Sequence, residues 1–131
     1  MQESRTTLMN RAVLVIAVVL AAASLGCRSE RTTTVPNELV GVWKTSEPRY
    51  ADRFLELTTT SIVFGAGEGA ADIRPISGVQ KVREQGGLLY TVLYANAEGR
   101  EATFSFYYDP APPGTIRLKN QRSFEWTRQG R

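Results

Sequence analysis

The chain has 131 residues, 42% of them hydrophobic, with a formal net charge of +3, a single cysteine and no histidine. A length in this range holds one small domain. Without histidine, and with one cysteine, the chain has no Ser-His-Asp or Cys-His catalytic set, no internal disulfide and none of the usual zinc ligand sets.

Arg5 and Arg11 lie before and at the edge of an unbroken run of apolar and small residues from Ala12 to Leu25. A positive flank followed by such a run is the architecture of a secretory signal peptide. The run is 14 residues long, short of the roughly 20 that a helix needs to span the hydrocarbon core. It closes on Ala23-Ser24-Leu25-Gly26-Cys27, which resembles the bacterial lipobox. That resemblance implies a signal peptide over residues 1–26, cleavage before Cys27, and a diacylglycerol thioether and an N-acyl group such as palmitate on that cysteine. Two or three acyl chains anchor durably where one holds reversibly, each buried methylene contributing about 0.8 kcal/mol. Acylation also removes a thiol that would have no internal partner in an oxidising compartment. Arg28 stands where the Asp that marks inner-membrane retention would follow the cysteine, so the resemblance implies the outer membrane, facing the periplasm.

From Cys27 onward there are 14 basic and 12 acidic residues, a net of +2. That is no electrostatic footprint for nucleic acid, and no such partner is expected. Residues 28–36 are polar and without a repeating apolar face, so 27–36 reads as the lipidated cysteine and a flexible tether of about 30 Å reach.

Within 37–131 no segment keeps helical apolar spacing beyond a turn. β-branched and aromatic residues instead cluster in short runs separated by Gly, Pro, Asn and Asp, which predicts an all-β domain. Strands are expected over 39–45, 53–58, 61–65, 72–84, 88–97, 100–109, 115–120 and 123–128. The two longest of the later strands meet at Asn96-Ala97-Glu98-Gly99, where Gly99 supplies the positive φ a hairpin turn requires. Ala102, Phe104, Phe106 and Tyr108 alternate with Thr103 and Ser105, one face for a core and one for solvent. Asp109-Pro110-Ala111-Pro112-Pro113-Gly114 reads as a rigid reversal, and Gly78 as a bulge where the sheet curls. About eight short strands with hairpin connections predict a small antiparallel up-and-down barrel, which leaves no exposed edges.

Leu39-Val40-Gly41-Val42-Trp43 resembles the Gly-x-Trp opening of lipocalin-type barrels, in which the Trp plugs the closed end and an Arg after the last strand packs across it. The resemblance implies a barrel plug of Gly41, Trp43 and Arg128. The domain is shorter than a full lipocalin, so that family's hollow pocket does not carry over. All 12 aromatic residues follow Cys27, and the bulk of Trp43, Phe64, Phe104, Phe106, Phe124 and Trp126 predicts a mostly filled interior.

Little in the sequence points to catalysis. Asp52 and Glu56 share a strand face but stand about 13 Å apart, beyond the roughly 5–9.5 Å of glycosidase carboxylates. No spacing singles out a Ser-Lys pair among Ser46, Ser105, Lys44, Lys81 and Lys119. Gly65-Ala66-Gly67-Glu68-Gly69-Ala70 satisfies Gly-x-Gly-x-x-Ala, but a strand pattern follows it where a dinucleotide site needs a helix. Gly65, Gly67 and Gly69, with Tyr90, Tyr94 and Tyr107, form the candidate binding rim. Tyr90, Val92 and Tyr94 share one face of a strand whose other face carries Leu89 and Leu93. Such a strand is either covered or a contact patch. The sequence therefore predicts a non-enzymatic, membrane-tethered binding module for a small apolar ligand or a protein partner of the cell envelope. No metal or cofactor is expected. The alternatives are an inhibitor or accessory subunit of another envelope protein, and a carboxylate-dependent hydrolase.

Overall fold

The computed structural model describes residues 29–130; the signal segment 1–26 and Cys27 lie outside the described residues. The strands are β1 (Glu30–Thr32), β2 (Gly41–Thr45), β3 (Phe54–Leu57), β4 (Ser61–Gly67), β5 (Ala70–Glu84), β6 (Gly87–Ala95), β7 (Glu101–Asp109), β8 (Thr115–Leu118) and β9 (Gln121–Arg128). From β2 onward each pairs antiparallel with the next, and β9 returns to pair with β2. The fold is thus all-β, an eight-stranded up-and-down barrel closed on itself, the lipocalin-like architecture expected from the sequence. Among the described residues no helix is long and apolar enough to cross a membrane.

Turn chemistry explains the connections. Asn96 Oδ1 accepts the N–H groups of Glu98 and Arg100 at 3.0 and 2.9 Å, and Gly99 adopts φ +74°, so the β6–β7 reversal is held from within. Between β4 and β5 the residues Glu68 and Gly69 have φ of +53° and +78°, the pair of positive angles that a type I′ hairpin turn needs. The glycine-rich segment is therefore two strand ends and a two-residue turn, and β5, rather than a helix, follows it. The expected irregularity at Gly78 is present as a shift of register against β6.

The segment read as a tether is structured. β5 runs nine residues past Pro75, where its pairing with β4 ends, and a free edge of that length invites pairing. β1 supplies it, setting Glu30, Arg31 and Thr32 opposite Lys81, Gln80 and Val79. The chain then turns under the barrel. The Val35 N–H donates to Thr59 O at 3.0 Å, and Val35 is buried. Three polar residues carry no local strand signal; their partner lies fifty residues away, which is why the sequence reading placed the domain start at 37.

After Pro36 a single turn of 3₁₀ helix, Asn37–Leu39, crosses this end of the barrel and delivers Leu39 and Trp43 into it, both wholly buried. The Trp43 indole N–H donates to Leu39 O at 3.0 Å. Tyr90, also wholly buried, donates its hydroxyl to Glu38 Oε1 at 3.0 Å. Burial, then the hydrogen bond to Glu38 and that carboxylate's charge, push the Tyr90 phenol above its ordinary value, so it stays a neutral donor. Leu57, Ile62, Phe106 and Ile116 fill the space around these groups, each such side chain contributing roughly 1.5–3 kcal/mol through burial. This end is closed.

Trp43 and Arg128 are opposite each other across the β2–β9 seam, and the guanidinium carbon lies 5.0 Å from the Trp43 ring centroid. Gly41 makes room for it: a Cβ there would stand 3.3 Å from Arg128 Cγ and Cδ, and its φ is +146°. On β6 both faces are buried, Leu89 and Leu93 as well as Tyr90 and Val92, so that strand is covered. Ile73, 65% exposed, is the one large apolar side chain left open among the described residues. Replacing Gly41 with Ala meets both the positive φ and the Arg128 stem, and should lower unfolding free energy by about 1–3 kcal/mol in a denaturant titration.

Candidate functional site

At the other end the packing is incomplete. Here β3 and β9 begin, β4 and β8 end, and the β2–β3 connection bends back over the opening. Pro48 starts a turn of 3₁₀ helix, Pro48–Tyr50, where its fixed φ suits the first helical position. The turn is pinned by Tyr50 N–H to Glu47 O at 3.0 Å and Arg53 N–H to Tyr50 O at 2.9 Å. The result sets Tyr50 against Phe124 and Trp126, with ring centroids 5.8 and 6.3 Å apart. From β9 the Gln121 amide reaches the Tyr50 hydroxyl at 3.4 Å.

Beneath this turn lies a cavity of about 290 Å³, bounded by Tyr50, Phe54, Phe64, Phe104, Leu118 and Trp126, with Leu55, Gly65, Arg53 and Gln121 completing the wall. Phe64 meets Phe104 at 5.5 Å and Tyr94 at 5.7 Å, so these rings brace one another on the interior face. The Phe54 ring lies against Gly65, where a Cβ would come within 2.1 Å of it. A second, more polar cavity of about 400 Å³ adjoins the first, sharing Phe104, Leu118 and Gln121 and adding Thr103, Ser105, Lys119 and Asn120. It borders the end of the short β8, whose ladder with β7 covers Phe106–Asp109 and continues as the Lys119 N–H to Ser105 O bond at 3.1 Å.

The interior is thus filled at one end and hollow at the other, where the sequence reading expected it mostly filled. A cavity of this size falls at the lower bound of the roughly 300–1,000 Å³ of small-molecule pockets. Its wall offers apolar and aromatic contact together with hydrogen-bond donors. The Tyr50 hydroxyl and the Gln121 amide are such groups, whereas the Trp126 indole N–H is itself buried, with no acceptor among the described residues. In the adjoining cavity Ser105 and Lys119 come together, but the Ser105 hydroxyl is engaged with Thr91 Oγ1 at 2.8 Å and no side-chain hydrogen bond joins it to Lys119. No group of three or more acidic or cysteine side chains is placed to hold a metal ion among the described residues.

The candidate rim residues divide. Gly65 is part of the cavity wall, Gly67 ends β4 and Gly69 lies in the β4–β5 turn at the same end, and Tyr94 braces Phe64. Tyr90 and Tyr107 are not on the rim. Tyr90 lies in the core of the closed end, because alternation along β6 turns it inward four residues before Tyr94. Tyr107 packs on the barrel's outer face, donating to Glu84 Oε2 at 2.9 Å under the Arg122 guanidinium, 4.2 Å from its ring centroid. Gly41, Trp43 and Arg128 sit together at the opposite end from the cavity. Six lining residues were not anticipated: Tyr50, Arg53, Phe54, Leu55, Leu118 and Gln121. The available signal was Pro48-Arg49-Tyr50, a proline followed by an aromatic residue inside a polar connection.

The chain matches no protein-family model, no curated protein and no solved structure in the comparisons made. The cavity must therefore be interpreted from its own chemistry. If Phe54 and Gly65 form the wall as a pair, Gly65→Ala should expel the ring and destabilise the barrel by about 1–3 kcal/mol, and Phe54→Leu in the same chain should recover part of the loss on denaturant unfolding.

Proposed function

We propose that this protein is a lipid-anchored component of the cell envelope, held by acylated Cys27 at the outer membrane, that takes a small, mainly apolar ligand into its open end without chemical turnover. The observation that carries the proposal is the aromatic-lined cavity of about 290 Å³ at one end of an otherwise packed barrel. A preformed apolar hollow with a few polar groups at its rim is the usual form of a small-molecule site. Docking of a protein partner has less in its favour, since Ile73 alone among the large apolar side chains of the described residues is exposed.

The position of β1 supports an orientation for this anchor. Two residues, Arg28 and Ser29, separate Cys27 from Glu30, a reach of at most about 11 Å, and β1 lies on the half of β5 that runs to the closed end. An acylated Cys27 would hold that end near the headgroups and direct the open end away from them, toward soluble ligands of the periplasm.

Protein extracted from membranes should carry acyl chains that Cys27→Ser removes, together with palmitate labelling and sedimentation in the membrane fraction. In native mass spectrometry the wild-type protein should retain a small molecule that a cavity-filling Leu118→Trp variant lacks. A folded wild-type protein that carries nothing, or a variant that retains the molecule equally well, would contradict the ligand assignment.

A further inference from the structure

Resting on the ligand reading above, we infer that the ligand is an amphipathic anion: a short, ring-bearing apolar body with an acidic head such as a carboxylate. The argument starts from the charges. Across the walls of the two adjoining cavities the charged side chains are Arg53 and Lys119, both cations. Neither takes part in an ion pair among the described residues, where the pairs are Arg49–Glu47, Arg74–Asp72 and Arg117–Glu125. The acidic groups nearest in sequence to Arg53 are otherwise placed. Glu47 is engaged with Arg49, Asp52 lies against Gly67 at the end of β4, and Glu56, like Asp52, is outside both walls.

The hydrogen-bonding complement points the same way. The Arg53 guanidinium rests 5.8 Å from the Tyr50 ring centroid and keeps its donors free of any acid. The Tyr50 hydroxyl accepts from Gln121 and so retains its own proton for donation. The walls carry positive charge and donors beside the neutral amides and hydroxyls of Gln121, Asn120 and Thr103, and an acidic head is the group that complements that charge. Arginine suits that role because its planar fork matches the two oxygens of a carboxylate. The apolar body is set by the deeper wall, where Phe64, Phe104, Leu55 and Trp126 favour a ring by edge and face contacts, and a volume of about 290 Å³ limits its size.

Three water-soluble probes of one shape separate the alternatives: phenylpropanoate, phenylpropanol and phenylpropylamine, titrated against the full-length protein in phosphatidylcholine nanodiscs with tryptophan fluorescence as readout. The expected result is that phenylpropanoate binds about tenfold more tightly than the alcohol, with the amine weakest. Arg53→Gln combined with Lys119→Gln should abolish the preference by weakening the carboxylate about tenfold, with an unchanged denaturant-unfolding midpoint showing that the variant is folded. If the alcohol or the amine binds wild type as tightly as the carboxylate, the anionic class is wrong and the ligand site stands. If none of the three binds, both fall.

Discussion

The architecture depends on closing the seam between β2 and β9, and the contact at that seam is Trp43 under Arg128. An up-and-down meander leaves its first and last strands as free edges unless they pair, and these two residues stand opposite each other where they do. The indole fills the closed end and donates to Leu39, while the guanidinium covers its face from the neighbouring strand. Gly41 lets the Arg128 stem approach the backbone. The energetics are mixed. A cation over an aromatic face contributes roughly 0.5–2 kcal/mol, whereas Arg128 Nε is buried without an acceptor among the described residues, which costs about 1–3 kcal/mol. The contact therefore acts mainly by filling space and excluding water at the seam, where burial of the indole supplies most of the stabilisation.

Placing the largest side chains at one end determines what remains at the other. Leu39, Trp43, Tyr90 and Phe106 are all wholly buried in the closed half. In the open half the aromatic residues instead stand around the wall, braced ring to ring by Phe64, Tyr94 and Phe104. Beside the short β8, the residues of β7 before Ser105 have no ladder partner along their second edge. The turn carrying Tyr50 covers the opening but does not fill it. Tight packing and free volume thus lie at opposite ends of one barrel, and filling the cavity need not disturb the closure that holds the strands together.

Most of the barrel was legible in the sequence because its strands alternate cleanly and its turns carry strong local signals. Asn96 to Gly99, the Pro-rich reversal after Asp109 and the irregularity at Gly78 each specify backbone geometry with few residues. What escaped was non-local. β1 is held by the free edge of β5 and carries no strand pattern of its own. Tyr50 and Gln121 belong to a connection and a strand end, and they meet across the opening only after the barrel closes. Alternation placed Tyr90 and Tyr94 on the same face, but periodicity does not say which end of the barrel each reaches. One is core and the other braces the cavity wall. Charge counts were also uninformative, since a nearly balanced chain still places two cations without an ion pair among the described residues, Arg53 and Lys119, on the walls of the two adjoining cavities.

The most direct test of this account is a double-mutant cycle on the seam, with Trp43→Leu, Arg128→Met and their combination followed by denaturant unfolding. If the indole and guanidinium close the barrel together, the two losses should be coupled by about 0.5–2 kcal/mol, the double variant losing less than the sum. Losses that add within about 0.3 kcal/mol would mean the residues act independently, and would contradict the view that this contact seals the barrel.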